Sequence, residues 1–169
     1  MLHSALGESV SQVIELVELS HDIYQHKPAV ANSTIGQHIR HIIDHFDAYR
    51  RGIDTSCIDY NIRSRDSELE TTPTLAMQKL KEFELWLDHS PRESFELSLV
   101  TEVSTLDRLS ISLQSNSHRE LVYLLNHSYH HVALAATLAR TLGLAPSEKL
   151  GVAPATATYR RDSSLSCAP

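Results

Sequence analysis

The sequence predicts an all-α fold, a four-helix bundle with a small β-hairpin before the last helix. Apolar residues recur at spacings of three and four in four separate stretches, and one stretch between them alternates with a period of two. A chain of 169 residues with 41% hydrophobic content is also of the size of one domain, which can bury roughly two-thirds of its unfolded surface. We therefore expect a single domain over residues 1–169.

The first two helices are predicted from their apolar stripes. In helix one the stripe extends from Leu2 to Val17. Helix two should begin at Asn32 or Ser33, because both residue types are good N-caps, and should end at Gly52. Its inward stripe consists of Ile35, Ile39, Ile42, Phe46 and Tyr49.

A long connection and a third helix follow. Residues 53–71 are mostly polar and have no clear period, so we expect them to form an ordered or semi-ordered connection. Thr72 and Pro73 are typical of an N-cap and a first helical residue, and helix three should extend from there to about His89. Trp86 lies at the edge of its inward stripe, which favours a packing role over a substrate-binding one.

The hairpin and the last helix complete the predicted fold. Apolar residues alternate between residues 91 and 114, so two short antiparallel strands are expected there. Ser117 and Glu120 match a capping box, and helix four should extend from there to Gly143. Residues 144–169 contain three prolines and no clear period, which predicts an irregular C-terminal tail.

Charge and composition argue against several classes of protein. The net charge of -6 is spread along the chain without a basic stripe, so we expect no nucleic-acid partner. No apolar run approaches the ~18 to 20 residues that span a bilayer, and the first residues lack the features of a signal peptide. We therefore expect a cytoplasmic protein with no membrane partner. Cys57 and Cys167 form no Cys-x-x-Cys pair, so neither a disulfide scaffold nor a thiolate metal site is expected.

Helix four contains the most chemically informative run of the sequence, with histidines at positions 127, 130 and 131. Residues four apart lie on the same side of a helix with Cβ atoms ~6 Å apart, and His127 and His131 both belong to the core stripe. His130 should lie at the edge of that stripe. A lone inward histidine is more often a hydrogen-bonded core residue, but two adjacent neutral imidazoles can share one cation. The spacing therefore predicts a metal site that includes His127 and His131.

A third ligand must come from another part of the chain, and helix two offers His38, His41 and His45. The apolar stripe of that helix lies closer to His38 and His45 than to His41, so periodicity favours one of those two. Asp44 could support the ligands or lie on the surface. The alternative is that all three histidines form a polar flank in contact with solvent, and spacing alone does not choose.

Two stretches resemble the motifs of the DinB/YfiT-like family of proposed metalloenzymes. Residues 33–44 resemble the family's second-helix motif and residues 126–135 resemble its fourth-helix His-x-x-x-His motif, in the same order and at a similar separation. The resemblance covers about residues 5–143. It implies an up-down-down-up four-helix bundle in which one histidine of helix two and two of helix four hold a divalent metal ion.

The resemblance also implies a ligand set. The family's His-x-x-Asp pattern matches residues 41–44, which implies His41, His127 and His131 as the metal ligands. Three neutral imidazoles leave an open coordination position, as in catalytic rather than structural zinc sites. Imidazole ligands suit zinc and nickel, and manganese and iron are also open.

The activity that the resemblance implies is less specific. The family includes metal-dependent thiol S-transferases, so a small-molecule substrate, a low-molecular-weight thiol, is expected. The alternatives are a metal-dependent hydrolase and a non-enzymatic protein whose histidines only pack or serve a metal-dependent interaction. Members often pair, which implies a homodimer. No catalytic base is assigned, because four residues lie near the two clusters without a diagnostic partner: Asp44, His38, His45 and His130.

The long connection carries further candidates for the site. Tyr60, Arg63, Arg65 and Asp66 could cover it and bind an anionic group of a substrate, since guanidinium groups match carboxylates. The alternative is a solvated loop with surface ion pairs. The sequence alone favours this second interpretation.

Overall fold

The computed structural model describes residues 1–166, which form a mostly helical fold with a small three-stranded sheet. The α-helices are α1 (Leu2–Leu19), α2 (Ile35–Thr55), α3 (Pro73–His89), α4 (Ser117–Thr141) and α5 (Pro154–Ser166). The strands are β1 (Cys57–Asp59), β2 (Glu96–Glu102) and β3 (Ser110–Asn116). Short 3-10 turns lie at His21–Ile23 and Glu68–Glu70.

The core lies between the first four α-helices. α1 contacts α3 and α4, and α2 contacts the same two helices, so each of the four has two helical neighbours. The predicted inward stripes of α1, α2 and α3 are buried, except that Leu2 at the start of α1 is only partly buried. Phe46 of α2 stacks on Phe83 of α3 with ring centroids 4.4 Å apart, and the half-buried Trp86 meets Tyr49 edge-on. The packing role predicted for Trp86 is thus confirmed.

Both ends of α2 differ from the prediction. The N-cap is Thr34 rather than Asn32 or Ser33, because the Thr34 hydroxyl accepts a hydrogen bond from the Gln37 amide while the Gln37 side chain accepts one from the Thr34 amide. The helix continues past Gly52 to Thr55 and ends where Ser56 adopts a left-handed conformation with φ 55°. Gly52 lies inside the helix, and glycine is required there because a Cβ at this position would collide with Ile58 of β1.

The predicted capping box of α4 is wrong. Asn116 is the N-cap, and its side chain accepts a hydrogen bond from the Arg119 amide at 2.9 Å. The Ser117 hydroxyl instead accepts from the amide of Phe95, next to β2, at 3.2 Å. The Glu120 carboxylate is fully buried and bonds to side chains outside the helix. Tertiary contacts therefore take up both side chains that could have formed the box.

The sheet confirms the predicted hairpin and adds one strand. β2 and β3 pair antiparallel with Leu99 opposite Leu113, and β1 pairs parallel to β2 with Ile58 opposite Leu99. Parallel neighbours need a long crossover, which the connection and α3 provide. The strand β1 was missed because it has only three residues within the polar stretch 53–71 and pairs with a strand about 40 positions away.

The irregular tail expected over residues 144–169 is wrong for Pro154–Ser166, which form α5. The segment before α5 is attached at Gly151, whose amide donates to the Gln12 side chain of α1 at 3.0 Å. A Cβ at Gly151 would collide with Ala133 of α4, so this segment lies close to both helices. Residues 167–169, including Cys167, lie outside the described part of the chain. Within residues 1–166, no helix combines the length and the apolar character needed to cross a membrane.

Candidate metal centre

The two histidine clusters of the sequence meet where α2 packs against α4. His41 and His127 lie in direct contact, with their Nε2 atoms 3.0 Å apart. Among residues 1–166, the histidines whose ligand nitrogens all lie within 4.8 Å of one another are His41, His45 and His127. The structure thus brings together His41 and His127, as expected, and adds His45 as a potential ligand.

His131 lies beside this group but outside it. Its ring centroid is 4.4 Å from that of His41 and 4.5 Å from that of His127. Its Nδ1 lies 3.0 Å from Nδ1 of His38, and Nε2 of His38 lies 2.9 Å from the Ser33 hydroxyl. A proton on Nδ1 of His131 would be donated to His38, and Nε2 of His131 would then keep its lone pair. This orientation is the one usual for a metal-binding histidine, whose second nitrogen donates to a neighbouring group.

His45 has a different set of contacts. It is only 2% exposed, and its Nδ1 donates to the backbone carbonyl of His41 at 2.9 Å. The Tyr123 hydroxyl lies 3.3 Å from its Nε2. Nη1 of Arg63 lies 3.1 Å from its Nδ1 and 3.3 Å from its Nε2, so the guanidinium lies against the ring. The ring of Tyr60 stacks on it with centroids 5.2 Å apart. The prediction that His45 lies closer to the core than His41 is therefore confirmed. The same prediction for His38 is wrong, because His38 and His41 are both half-buried.

His130 and Asp44 complete the account of the residues that the sequence singled out near the two clusters. His130 is exposed and meets His131 edge-on at 5.1 Å, so its predicted place at the edge of the stripe is confirmed. Asp44 is 3% exposed, which makes the surface interpretation wrong. Its carboxylate pairs with Arg40 at 3.0 Å and accepts hydrogen bonds from the Ser64 amide at 3.1 and 3.2 Å. Asp44 therefore joins α2 to the long connection.

The environment keeps the imidazoles neutral. Burial, followed by repulsion from neighbouring rings and from Arg63, lowers the pKa of His41 from 6.5 to about 2. The same causes, with burial first, lower the pKa of His45 and His131 to about 3 and that of His127 to about 4. Burial is also the main cause of a lowered pKa at His38. Near neutral pH each of these rings is neutral and has one nitrogen with a free lone pair. A metal cation can therefore bind without first displacing a proton from the ring.

Part of the long connection covers the histidine cluster. The sequence had favoured a solvated loop instead. Tyr60 is buried against His45, and its hydroxyl donates to Glu120 at 2.8 Å. Arg63 contacts the same ring, whereas Arg65 is exposed and Asp66 donates its amide to Glu70 at 3.3 Å. Tyr60 and Arg63 therefore belong to the site, and Asp66 has a structural contact.

Two residues of the site were not singled out in the sequence. Tyr123 lies one helical turn before His127, and its ring stacks on that histidine with centroids 5.3 Å apart. Its spacing of four from His127 was a signal that could have found it. Glu120 also lies on α4, and the sequence assigned it to a capping box. Its hydrogen bond with the Tyr60 hydroxyl was therefore not predicted.

The donor set fits a divalent metal ion. Two zinc-bound nitrogens at tetrahedral geometry lie about 3.3 Å apart, close to the 3.0 Å between the Nε2 atoms of His41 and His127. All candidate ligands are neutral imidazoles on two packed helices, which suits zinc or nickel better than cations that prefer oxygen. A hydrogen bond between the two nitrogens explains their distance equally well in the absence of metal.

One of three comparisons with known proteins found a match. A family model described as the DinB family matches residues 8–162, which is most of the chain. This match confirms the resemblance found in the two histidine motifs. No curated protein matches the chain. No solved structure matches it either.

Proposed function

We propose that this chain, which belongs to the DinB family, is a metalloenzyme that binds one divalent metal ion through His41, His127 and His131. The observation that carries the proposal is the meeting of neutral imidazoles from α2 and α4, with Nε2 atoms of His41 and His127 3.0 Å apart. Zinc and nickel suit these ligands best, and manganese and iron are the other candidates.

Distance alone favours His45 as the third ligand, since its nitrogens lie nearer to the pair than those of the proposed His131. Two contacts favour His131 nonetheless. The Tyr123 hydroxyl lies 3.3 Å from Nε2 of His45, and the Arg63 guanidinium lies 3.1 and 3.3 Å from the two ring nitrogens, where its charge repels a second cation. Within the described residues, His131 has no guanidinium within hydrogen-bond distance, and a proton on its Nδ1, donated to His38, would leave its Nε2 for the metal.

The reaction that we propose is transfer of a low-molecular-weight thiol. A divalent ion on three neutral ligands, when bound, lowers the pKa of a thiol or water that reaches its open position. The thiol sulfur then forms a bond to an electrophilic carbon of the second substrate, the thiol proton goes to solvent, and the leaving group departs with its electron pair. The buried Tyr60 and the half-buried Tyr123 restrict water beside the cluster.

The proposal also includes a fold and an assembly. The arrangement in which each of α1 to α4 has two helical neighbours supports an up-down-down-up four-helix bundle, which a crystal structure would test. We further propose a homodimer, as is common in the family. Sedimentation at several protein concentrations would test it, and a monomer at every concentration would contradict it.

Metal analysis tests the central claim. Protein purified without a histidine tag should contain close to one equivalent of metal, or should take it up from zinc, nickel, manganese or iron salts. Thiol consumption measured beside ester and amide hydrolysis would then separate the proposed transferase from a hydrolase. Protein that contains no metal and is indifferent to each of the four would contradict the site and favour histidines that only pack.

A further inference from the structure

Arg63 is held over the histidine cluster by contacts on both sides of it. The Ser64 amide donates to the Asp44 carboxylate, which is fixed in turn by Arg40. On the other side, the Asn61 side chain accepts a hydrogen bond from the Glu102 amide of β2 at 2.7 Å. The segment that carries Arg63 is thus attached to α2 and to the sheet. Its guanidinium is therefore positioned by the fold rather than by solvent.

The guanidinium has no carboxylate partner among residues 1–166, since no Asp or Glu oxygen lies within 4.0 Å of it. The three buried carboxylates nearby are engaged elsewhere. Asp44 and Glu70 both pair with Arg40, and Glu120 binds Tyr60, Ser115 and Arg119. The contacts of Arg63 are with the ring of His45, whose Nδ1 proton is already donated to His41. Only Nε2 of His45 can accept from it, so most of its five N–H donors have no protein acceptor there.

The positive charge of Arg63 favours binding of an anion beside it. The imidazoles are neutral, and Arg40 and Arg119 are paired with carboxylates, whereas the half-buried Arg63 has no carboxylate within 4.0 Å among residues 1–166. Burial lowers the pKa of Arg63, and the nearby Asp44 carboxylate acts in the opposite direction. A half-buried cation without a directly paired carboxylate favours an anionic ligand, and a divalent ion beside Arg63 would favour that ligand further.

We infer that Arg63 is a specificity-determining residue that binds a carboxylate group of the substrate next to the metal centre. This inference rests on the proposed function, and it narrows the substrate to a small thiol that carries a carboxylate. One planar guanidinium matches the shape and the single charge of one carboxylate. Nη1 of Arg63 lies 3.3 Å from Nε2 of His45, and the ligand nitrogens of His45 and of the His41 and His127 pair lie within 4.8 Å. A short molecule can therefore reach both Arg63 and the metal position.

The test compares two thiols of matched size, 3-mercaptopropionate and the neutral 3-mercaptopropionamide. Calorimetry measures their binding to the full chain loaded with zinc, in the unchanged protein and in the variants Arg63→Met, Arg63→Lys and Arg65→Met. We expect the unchanged protein to bind the carboxylate thiol about tenfold or more tightly than the amide. Arg63→Met should abolish the preference and Arg63→Lys should retain part of it. Arg65→Met, at an exposed neighbouring arginine, should leave the preference intact.

Zinc content and thermal unfolding of each variant show whether the site and the fold persist. Failure to load zinc or the other three metals contradicts the proposed function itself. If the protein loads metal but prefers neither thiol, or if Arg63→Met keeps the full preference, the metal site stands and the role of Arg63 is wrong. If the metal-loaded protein binds neither thiol, both the thiol substrate and the carboxylate contact are wrong.

Discussion

At the scale of single residues, the proton on each imidazole matters as much as the position of its ring. Nε2 of His41 faces Nε2 of His127, so the pair must share a proton or a metal ion. His45 has its Nδ1 proton directed to a backbone carbonyl, and its other nitrogen faces hydrogen-bond donors. Histidines with similar spacing along one helix therefore differ in which nitrogen remains available.

The first prediction ranks the histidines by their effect on metal binding. His41→Ala, His127→Ala and His131→Ala should each abolish tight binding, because each removes a ligand. His38→Ala and His45→Ala should weaken binding roughly 10- to 100-fold, because they remove neighbours that orient the ligands. Competition with a coloured chelator measures the affinities.

The outcome that would contradict this ranking is specific. If His45→Ala abolishes binding while His131→Ala retains it, the ligands are the three histidines with the closest nitrogens, His41, His45 and His127. If His38→Ala or His45→Ala abolishes binding while His41→Ala leaves it intact, the match of residues 41–44 to the family motif is wrong.

The second prediction concerns the buried carboxylate of Asp44. Asp44→Ala removes the acceptor of the Ser64 amide and one partner of Arg40, which keeps Glu70. The loss should lower the free energy of unfolding by about 1 to 3 kcal/mol, measured in urea. Asp54→Ala is a matched control, because Asp54 is exposed on the same helix, and should change it by less than about 0.5 kcal/mol. Equal effects would mean that Asp44 does not hold the connection in place.

At the scale of elements, the sequence predicted those helices and strands whose apolar spacing and end residues lie within the element itself. The stripe of α3 and its Pro73 start predicted that helix closely, and the alternation predicted the β2 and β3 hairpin. The strand β1 and the true start of α4 depend on partners that are distant in sequence. Local patterns do not contain that information, so propensity alone placed Ser117 and Glu120 in a capping box.

The same rule applies to the candidate site. Spacing correctly placed His127 and His131 on one face of α4, but both are half-buried against α2 rather than part of the core, and Leu134 on the same face is exposed. Which histidine of α2 meets them depends on how α2 and α4 pack, and the contacts of Tyr60 and Arg63 depend on the connection. Only the structure shows these contacts.

The third prediction compares two glycines in helices. Gly36 lies in the first turn of α2, where a Cβ would collide with the backbone carbonyl of Glu70, so Gly36→Ala should destabilise the protein by more than about 1 kcal/mol. Gly7 lies inside α1 with no atom within 4 Å of an added Cβ, so Gly7→Ala should stabilise it by about 0.4 to 1 kcal/mol. Thermal unfolding of both variants measures the difference. A neutral Gly36→Ala would show that the turn at Glu68–Glu70 can move away from α2.

At the scale of the whole molecule, the candidate site joins parts of the chain that are 86 residues apart. His41 and His127 lie on helices whose connection includes β1, α3 and the hairpin. A metal ion held between them would bind the folded chain and have few organised ligands in the unfolded one. Metal binding should therefore stabilise the entire fold, because opening of the contact between α2 and α4 releases the ion.

The fourth prediction follows from this linkage. A ligand at 100 times its dissociation constant adds about 2.7 kcal/mol to the free energy of unfolding, and a domain of this size gains about 2 to 4 °C in Tm per kcal/mol. Addition of excess zinc to metal-free protein should thus raise Tm by about 5 to 10 °C, and a chelator should reverse the change. Calorimetric scans measure it. The variant His127→Ala serves as the control, since it should have the same Tm with and without zinc. A rise of equal size in that variant would locate the stabilising ion elsewhere and contradict a metal bridge between α2 and α4.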